Sequence, residues 1–161
     1  MEYYSKMTMR PVETDLGVAA CLIKESKILL VKEAKGPQKY LWGLPKGSVD
    51  KGELPHFAVR RELKEECGID AQVKGLVGLR ECIIKQTPAI FLAYYVEAEN
   101  PIVNIDNNEI IDYGWFELNE FQSLSWISDA MRQLAEKAVS NFNGSMIDYS
   151  EIKDRSYFLY L

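Results

Sequence analysis

Histidine, cysteine and long apolar runs are scarce in this chain of 161 residues. The single histidine, His56, excludes a histidine-rich zinc site and argues against a Ser-His-Asp triad. The three cysteines are scattered and lack metal-ligand spacing, so we expect reduced thiols and a cytoplasmic protein. No apolar run approaches the roughly 18 residues that span a bilayer, and the polar first residues do not predict a secretory signal. We therefore expect no membrane partner.

A basic surface and glycine-rich phosphate loops are also absent from the sequence. The chain has 19 basic and 24 acidic residues and a net charge of −5, which argues against DNA or RNA binding through a positive surface. Neither G-x-G-x-x-G nor a P-loop occurs, so the Rossmann and P-loop folds are not expected. A phosphorylated substrate stays open, because a bound divalent metal can reverse the local charge.

Apolar periodicity and turn residues predict the secondary structure. Residues 16–23 and 28–31 flank a short polar segment, which predicts a β-hairpin. An early proline, apolar residues at four-residue spacing and a following glycine predict a helix at about 54–67, and a second helix is predicted at 125–141. Further strands are expected at about 40–45, 72–81, 89–98 and 113–117. This set predicts an α/β fold, a mixed sheet covered by helices.

The length predicts one domain with short appendages. We expect a polar lead-in at residues 1–13, the domain at 14–141 and an aromatic tail at 142–161 that packs on the domain. Aromatic side chains of the strands, Trp42 and Phe91 among them, are predicted mainly as core, with stacking on a base as the alternative.

Three glutamates share one face of the first predicted helix. Glu62, Glu65 and Glu66 are three and four residues apart, a spacing that places side chains next to each other. Carboxylates so arranged repel one another, and a bound cation would neutralise them; oxygen ligands suit Mg²⁺ or Mn²⁺. The alternative is a solvated acidic face, which is the commoner explanation for an isolated E-x-x-E-E cluster.

Residues before these glutamates indicate a structured loop. Arg61 lies eight residues after Glu53 and can pair with it if the loop folds back onto the helix, which would hold the loop in place. Gly47 and Gly52 permit unusual backbone angles and close approach. The main-chain carbonyl of Gly47 can then face the same metal.

The whole segment 47–69 favours the metal site. Five residues separate Gly47 from Glu53, and seven separate Glu53 from Arg61. The other specified positions follow directly: Glu62, Leu63, Glu65, Glu66, Gly68 and Ile69. This pattern resembles the box of the Nudix, or MutT-type, hydrolases, with every defining position filled. The resemblance extends over about residues 14–140 and implies the family's α/β/α sandwich with a mixed sheet.

The resemblance implies a role for each residue of the box. The family hydrolyses nucleoside diphosphates linked to another moiety, using a divalent metal that is usually Mg²⁺. The implied metal ligands are Glu62, Glu65, Glu66 and the Gly47 carbonyl. Glu62 is alternatively the general base, which accepts the proton of the attacking water. Glu53 and Arg61 are implied to orient the catalytic loop and helix.

Residues outside the box are further candidates. Many family members use another acid from a loop before a late strand, as ligand or base, and here Glu109 is the candidate, with Asp106 and Asp112 competing for the role. Lys46 either meets a distal phosphate of the substrate or is a solvated loop lysine. The other candidates for phosphate contacts, with plain surface residues as the alternative, are Lys32, Lys35, Lys39 and Arg80.

The predicted substrate is a nucleotide-type small molecule. The sequence WGLPKG around Lys46 resembles that of many dinucleoside-polyphosphate hydrolases, which favours dinucleoside polyphosphates or nucleoside triphosphates. ADP-ribose, a nucleotide sugar, and the 5′ end of triphosphorylated or capped RNA stay open as substrates. A non-catalytic nucleotide-binding Nudix module and a homodimer also stay open. A Nudix-like isomerase is disfavoured, because the additional cysteine and glutamate that it needs are not evident.

Overall fold

Two β-strands open the fold and form the hairpin predicted from the sequence. The computed structural model describes residues 12–151 and 158–161, so nearly all of the predicted lead-in lies outside the described residues. Strands β1 (Asp15–Lys24) and β2 (Lys27–Glu33) are joined through Glu25 and Ser26, both with positive φ. The strands pair with each other only beside this turn and then separate, so each takes other partners.

The remaining strands build a mixed sheet around β1 and β2. They are β3 (Trp42–Gly43), β4 (Lys46–Ser48), β5 (Gln72–Ile84), β6 (Thr87–Glu97) and β7 (Ile110–Phe116). The order is β3-β2-β1-β6-β5, with β4 beside β1 and β7 beside β2. Strand β6 runs parallel to β1, whereas the other pairs are antiparallel. The mixed sheet predicted from the sequence is therefore confirmed.

Two helices cover opposite faces of the sheet. Successive residues of β1 point to opposite faces, so neighbouring residues of this strand pack with different helices. Helix α1 (Pro55–Cys67) packs with one cluster of buried residues that includes Val18 and Leu22, and helix α2 (Asp129–Asn141) packs with a second that includes Ala19 and Cys21. This arrangement confirms the α/β/α sandwich.

Helix α1 has the bounds expected from its punctuating residues. It begins at Pro55, where a proline lacks only an N–H that has no partner inside the helix. It ends at Cys67, and the following residue, Gly68, has a φ of +70° and donates its N–H to Lys64 O at 2.9 Å. A Cβ at Gly68 would lie 3.1 Å from Asn104, so both conformation and space favour glycine there.

Helix α2 begins later than predicted, at Asp129 rather than at residue 125. The N–H of Trp42 donates to Ser125 O, and the N–H of Ile127 donates to Trp42 O, so this segment extends the edge of β3 instead of coiling. Ser128 then caps the helix by accepting from Met131 N at 3.1 Å. Apolar periodicity failed here because the apolar side chain of Ile127 packs against Gly43, near Met131 of the helix, although Ile127 lies outside the helix. A 3₁₀ helix at Leu118–Ser123 was not predicted.

The strand bounds also differ from the prediction. The strand expected at 40–45 is reduced to the two residues of β3, because Tyr40 has a φ of +70° and belongs to a turn. The strands expected at 72–81 and 89–98 form one long hairpin, closed by Lys85 and Gln86 with positive φ. Strand patterns do not locate the turn of a hairpin, so strand bounds predicted from sequence are uncertain by a few residues.

The described part of the tail contacts the domain. The ring of Phe142 stacks on Tyr95 with centroids 4.3 Å apart. Strands β8 (Met146–Asp148) and β9 (Phe158–Tyr160) pair antiparallel, and Met146 and Tyr160 pack on the α1 side of the core. The division into lead-in, domain and tail stays a prediction.

The three cysteines of the chain are free, and burial raises the pKa of the Cys67 thiol to about 12. Cys67 thus serves as a small apolar group of the core. Across residues 12–151 and 158–161, neither α1 nor α2 nor any shorter helix has the length and apolarity to cross a membrane.

Candidate active site

Helix α1 places its glutamates against strand β4. The N–H of Lys46 donates to Glu66 Oε2 at 3.0 Å, and the carboxylate of Glu62 lies against Gly47. Glu65, one turn along from Arg61, has a side chain that is 58% exposed. The structure therefore brings the predicted box residues together around strand β4, which pairs with β1.

Arg61 is the centre of a hydrogen-bond network that joins helix α1 to the loop before it. Its guanidinium donates to both oxygens of Glu53, from Nε at 3.0 Å and from Nη2 at 2.9 Å. It also donates from Nη1 to Glu62 at 2.8 Å and to Glu65 at 3.2 Å, and from Nη2 to Ser48 O at 2.9 Å. The pair with Glu53 expected from the sequence is thus present. The planar fork of arginine makes these several contacts possible, and they tie the loop before α1 to the helix.

Gly47 is required by the position of Glu62. A Cβ built on Gly47 would lie 1.9 Å from Cδ of Glu62 and 2.1 Å from its Oε1, much closer than carbon atoms approach. The backbone of Gly47 is held by its pairing with Val18 in β1, so it cannot move aside without disturbing the sheet. The absence of a side chain at this position therefore forms a cradle for the carboxylate.

Glu66 is the most buried acid of the site. Its residue is 4% exposed, and burial raises the pKa of its carboxyl group to about 8, against the hydrogen bond from Lys46 N. Negative charge on Glu33 and Glu62 adds to the rise of the pKa. A carboxyl group in this environment gains greatly from a nearby cation, since the cation favours the ionised form.

Glu33, a residue that sequence reasoning missed, lies at the end of β2 beside Lys46. The Lys46 Nζ donates to Glu33 Oε1 at 2.7 Å, and the two side chains are only 18% and 12% exposed. Lys46 is therefore neither a solvated loop lysine nor a free cation in this structure. No short-range spacing links the two residues, so the pairing could not be found from the sequence.

The donor set of the site fits a divalent cation. Burial raises the pKa of Glu62, and charge on Glu65 and Glu109 raises it further, whereas Arg61 lowers it. Within the described ranges, no three acidic, histidine or cysteine side chains are gathered as a metal-binding group, and the three glutamates accept instead from Arg61 and from Lys46 N. Carboxylate oxygens are the hard ligands that Mg²⁺ or Mn²⁺ prefers, and Glu62, Glu65 and Glu66 could supply them.

Glu109 lies on the loop before β7, as predicted, near enough to affect the charge of Glu62. Its carboxylate accepts from Lys35 Nζ at 3.0 Å, and both side chains are exposed. Asp106 and Asp112, the two competing candidates, instead accept hydrogen bonds from nearby main-chain groups of Asn108 and Tyr113. Glu109 is thus the acid of this segment with an electrostatic link to the box.

The other predicted phosphate-binding cations lie in different places. Lys32 lies over the Trp42 ring at 5.4 Å, and Lys39 lies over the Tyr40 ring at 4.8 Å. Neither lysine lines the two clefts next to strand β4. Arg80 does: with Lys46 and Phe91, it lines two clefts of about 470 Å³ and 220 Å³ next to β4. Phe91 was predicted mainly as core, but it is a cleft residue as well.

Known proteins show the same fold and family. A family model described as "NUDIX domain" matches residues 13–138. The chain is 42% identical over 64 residues to an ADP-ribose pyrophosphatase of Methanocaldococcus jannaschii, covering 40% of this chain and 38% of that protein. It is 25% identical over 157 residues to the RNA pyrophosphohydrolase of Zymomonas mobilis, covering 86% of this chain and 100% of that protein.

A solved structure agrees with these relatives. The MutT NUDIX hydrolase of Burkholderia pseudomallei superimposes with a TM-score of 0.68 and 26% identity, covering 78% of this chain and 98% of that one. The chain thus spans well under half the length of the archaeal relative but the whole of the Zymomonas protein. Because the family model covers most of the chain, the protein belongs to the Nudix family.

Proposed function

We propose that this protein is a Mg²⁺-dependent pyrophosphohydrolase that cleaves the diphosphate linkage of a nucleoside diphosphate derivative. The observation that carries the proposal is the arrangement of the three glutamates around β4 and Arg61. Glu62 lies against the Gly47 cradle, Glu65 shares Arg61 with Glu62, and the buried Glu66 accepts from Lys46 N. Nudix hydrolases generally use a divalent metal and act on nucleotide-type substrates, and the complete box supports the same chemistry here. Mn²⁺ is the alternative ion.

The residues of the box have two kinds of proposed role, metal binding and positioning. Glu65, Glu66 and the Gly47 carbonyl would hold the cation, and Glu62 would join them only if Glu109 is the base. The cation would supply charge neutralisation for the phosphates and would lower the pKa of a bound water. Arg61 and Glu53 position the loop and the helix. Water attacks one phosphorus, a new P–O bond forms, the anhydride P–O bond breaks, and the second phosphate departs with the bond's electron pair.

Glu62 is the proposed proton acceptor. Its carboxylate is held against Gly47, and burial raises its pKa, which makes it a better base than an exposed glutamate. Glu109 is the alternative base, but its carboxylate is exposed and paired with Lys35. We expect Glu62→Gln to lower kcat by about 10²-fold or more, and Glu109→Gln to lower it by less than about tenfold.

The proposed substrates are dinucleoside polyphosphates or nucleoside triphosphates. ADP-ribose is the alternative that the archaeal relative supports, and the RNA 5′ end is the alternative that the Zymomonas relative supports. The net charge of −5 weighs against an RNA substrate. A homodimer also stays a proposal.

A substrate panel tests the proposal. The protein with Mg²⁺ is offered diadenosine polyphosphates, ADP-ribose, nucleoside triphosphates, nucleotide sugars and 5′-triphosphate RNA, with phosphate and nucleotide products measured. Glu65→Gln and metal-free protein should lose turnover, whereas Glu97→Gln, on β6 and paired with Lys74, should keep it. Binding of nucleotide without turnover of any substrate would contradict the hydrolase and support a binding module.

A further inference from the structure

Two clefts meet next to strand β4 of the proposed active site. The first, called here the apolar cleft, has a volume of about 220 Å³ and is lined by residues such as Ile127, Met131 and Leu134 of the α2 side. The second, called here the open cleft, has a volume of about 470 Å³ and is lined by residues such as Thr14 and Ile84. Lys46, Arg80 and Phe91 line both clefts, so they mark the junction.

Arg80 is the cation with unused binding capacity at this junction. It lies on β5 directly opposite Phe91 of β6, with Cζ 5.7 Å from the ring centroid. Its Nε is buried and has no hydrogen-bond partner among the residues that the structure describes. A buried donor without a partner is unfavourable, so Nε is a donor that a bound ligand could satisfy.

Lys46, the other cation of the junction, is already neutralised. Its ammonium group is bound to Glu33, whereas Arg80 forms no ion pair within residues 12–151 and 158–161. A guanidinium can bind two phosphate oxygens at once, and its stacking on Phe91 holds its plane. Arg80 is therefore suited to an anion that bridges the two clefts.

The size and lining of the clefts indicate what lies on either side of that anion. The apolar cleft presents Phe91, Met131 and Leu134, a lining that suits the flat faces of a nucleobase. The open cleft is larger and more polar, with Thr14, Asp15 and Ser48 on its walls. A terminal phosphate would leave most of the open cleft unfilled, whereas a sugar or second nucleoside would fill it.

We propose that Arg80 binds the diphosphate bridge of a two-ended substrate, a nucleoside diphosphate that carries a sugar or a second nucleoside. The base lies in the apolar cleft and the second group lies in the open cleft. This inference rests on the proposed function and narrows the set of proposed substrates. It predicts that two-ended substrates are hydrolysed in preference to nucleoside triphosphates.

Arg80 variants provide the first test, with ADP-ribose and diadenosine tetraphosphate as two-ended probes and ATP as the one-ended probe. We expect wild type to show at least about tenfold higher kcat/KM on one two-ended probe than on ATP. Arg80→Gln should lower that kcat/KM by about ten- to hundredfold, mainly through KM, because a charge-assisted hydrogen bond to phosphate is lost. Arg80→Lys should lie between the two, and Lys74→Gln, a lysine of the same strand paired with Glu97, is the matched control.

Filling the open cleft provides the second test. Thr14 is exposed and lines the open cleft but not the apolar cleft, so Thr14→Trp should lower kcat/KM on the two-ended probe by about tenfold and change ATP hydrolysis by less than about threefold. Equal losses on both probes, or ATP as the better substrate of wild type, would overturn the proposal.

Calorimetric binding separates this inference from the proposed function. ADP-ribose binding is measured without turnover, in wild type and in both Arg80 variants, with thermal unfolding as a check on folding. Weaker binding to Arg80→Gln supports the inference even if no substrate is hydrolysed, in which case the hydrolase proposal alone fails. Unchanged binding of ADP-ribose and of diadenosine tetraphosphate to folded variants would refute the role of Arg80.

Discussion

Two cations hold the glutamates of the site, and they do so in different ways. Arg61 on α1 contacts Glu53, Glu62, Glu65 and the Ser48 carbonyl through separate guanidinium hydrogens, with 29% of its side chain exposed. Lys46 on β4 makes one side-chain hydrogen bond, to Glu33, and reaches Glu66 only through its main-chain N–H. One cation arranges several groups, and the other balances one buried charge.

The difference between Arg61 and Lys46 is that the first fixes the geometry of the carboxylates and the second balances a buried charge. A guanidinium fork fixes directions, so removal of Arg61 should disturb the alignment of the carboxylates more than the stability of the fold. Lys46 and Glu33 are both largely buried, so removal of one leaves an uncompensated charge and should disturb stability more than alignment. The two regions should therefore respond to substitution in opposite ways.

Loss of Arg61 is the largest expected effect on activity. Arg61→Gln should lower kcat by about 10³-fold, because Glu62 and Glu65 lose the group that aligns them. Arg61→Lys should be intermediate, since an ammonium group cannot hold both oxygens of Glu53 as a fork does. Steady-state kinetics measures the change, and unfolding by urea should show a loss of less than about 2 kcal/mol.

The matched control for Arg61 lies on α2. Arg132 also pairs with two carboxylates, Asp129 and Glu136, but far along the chain from the box. Arg132→Gln should leave kcat within about twofold, as exposed helix pairs contribute little. A kcat for Arg61→Gln within tenfold of wild type would contradict the alignment role.

A methyl group at Gly47 tests the same alignment from the side of β4. Gly47→Ala should lower kcat by about 10²-fold, because the new Cβ would occupy the position of the Glu62 carboxylate and displace it. Gly52→Asn is the control: Gly52 has a φ of +81° and open space around it, and asparagine tolerates that conformation. If both variants keep wild-type kcat, the cradle does not position Glu62.

The buried pair should show its effect mainly in stability. Lys46→Met should lower the free energy of unfolding by about 3 kcal/mol, because Glu33 is left buried without a partner. The double variant with Glu33→Leu should recover most of that loss, which a double-mutant cycle in urea measures. Lys74→Met, from the exposed pair with Glu97, should cost less than about 1 kcal/mol. Equal losses for the two lysines would refute the distinction.

The smallest effect concerns His56, which is on α1 but outside both cation networks. Its ring is buried between Phe57 and Phe158, at 4.0 Å and 4.1 Å, and burial lowers its pKa below the ordinary 6.5; repulsion from Arg60 lowers it further, and Asp148 opposes the shift. The unfolded chain therefore binds the proton first as pH falls. Stability should be full above about pH 6.5 and decline below it.

A variant isolates this contribution. Between pH 7 and pH 5, wild type should lose more stability than His56→Gln, whose side chain does not titrate. Thermal unfolding at a series of pH values measures the difference. Parallel curves for the two proteins would show that His56 does not control the acid response.

Local sequence patterns were sufficient to predict features that depend on residues close together in the chain. Helix α1 has its predicted bounds because Pro55 and Gly68 act through backbone conformation at its two ends. The pairing of Arg61 with Glu53 also followed from short spacing. The predicted start of α2 was wrong because Ile127 contributes to a tertiary contact and not to the helix. Its side chain packs beside Gly43 while its N–H donates to Trp42 O.

Tertiary contacts decided the surroundings of the box. Glu33 lies on β2 and Lys46 on β4, and only the sheet brings them to hydrogen-bond distance. Arg80 was one of four equal basic candidates in the sequence, and the pairing of β5 with β6 alone places it over Phe91 between two clefts. Spacing along the chain carries no information about such partners.

The sequence by itself determined the family resemblance, the α/β class and the row of carboxylates on α1, because helix periodicity and punctuating glycines act over a few residues. Only the tertiary structure decided which cations those carboxylates meet, that Glu66 is buried, and where the clefts lie. Burial and cross-strand register arise from chain segments far apart in sequence, and these set the charge and shape of the site.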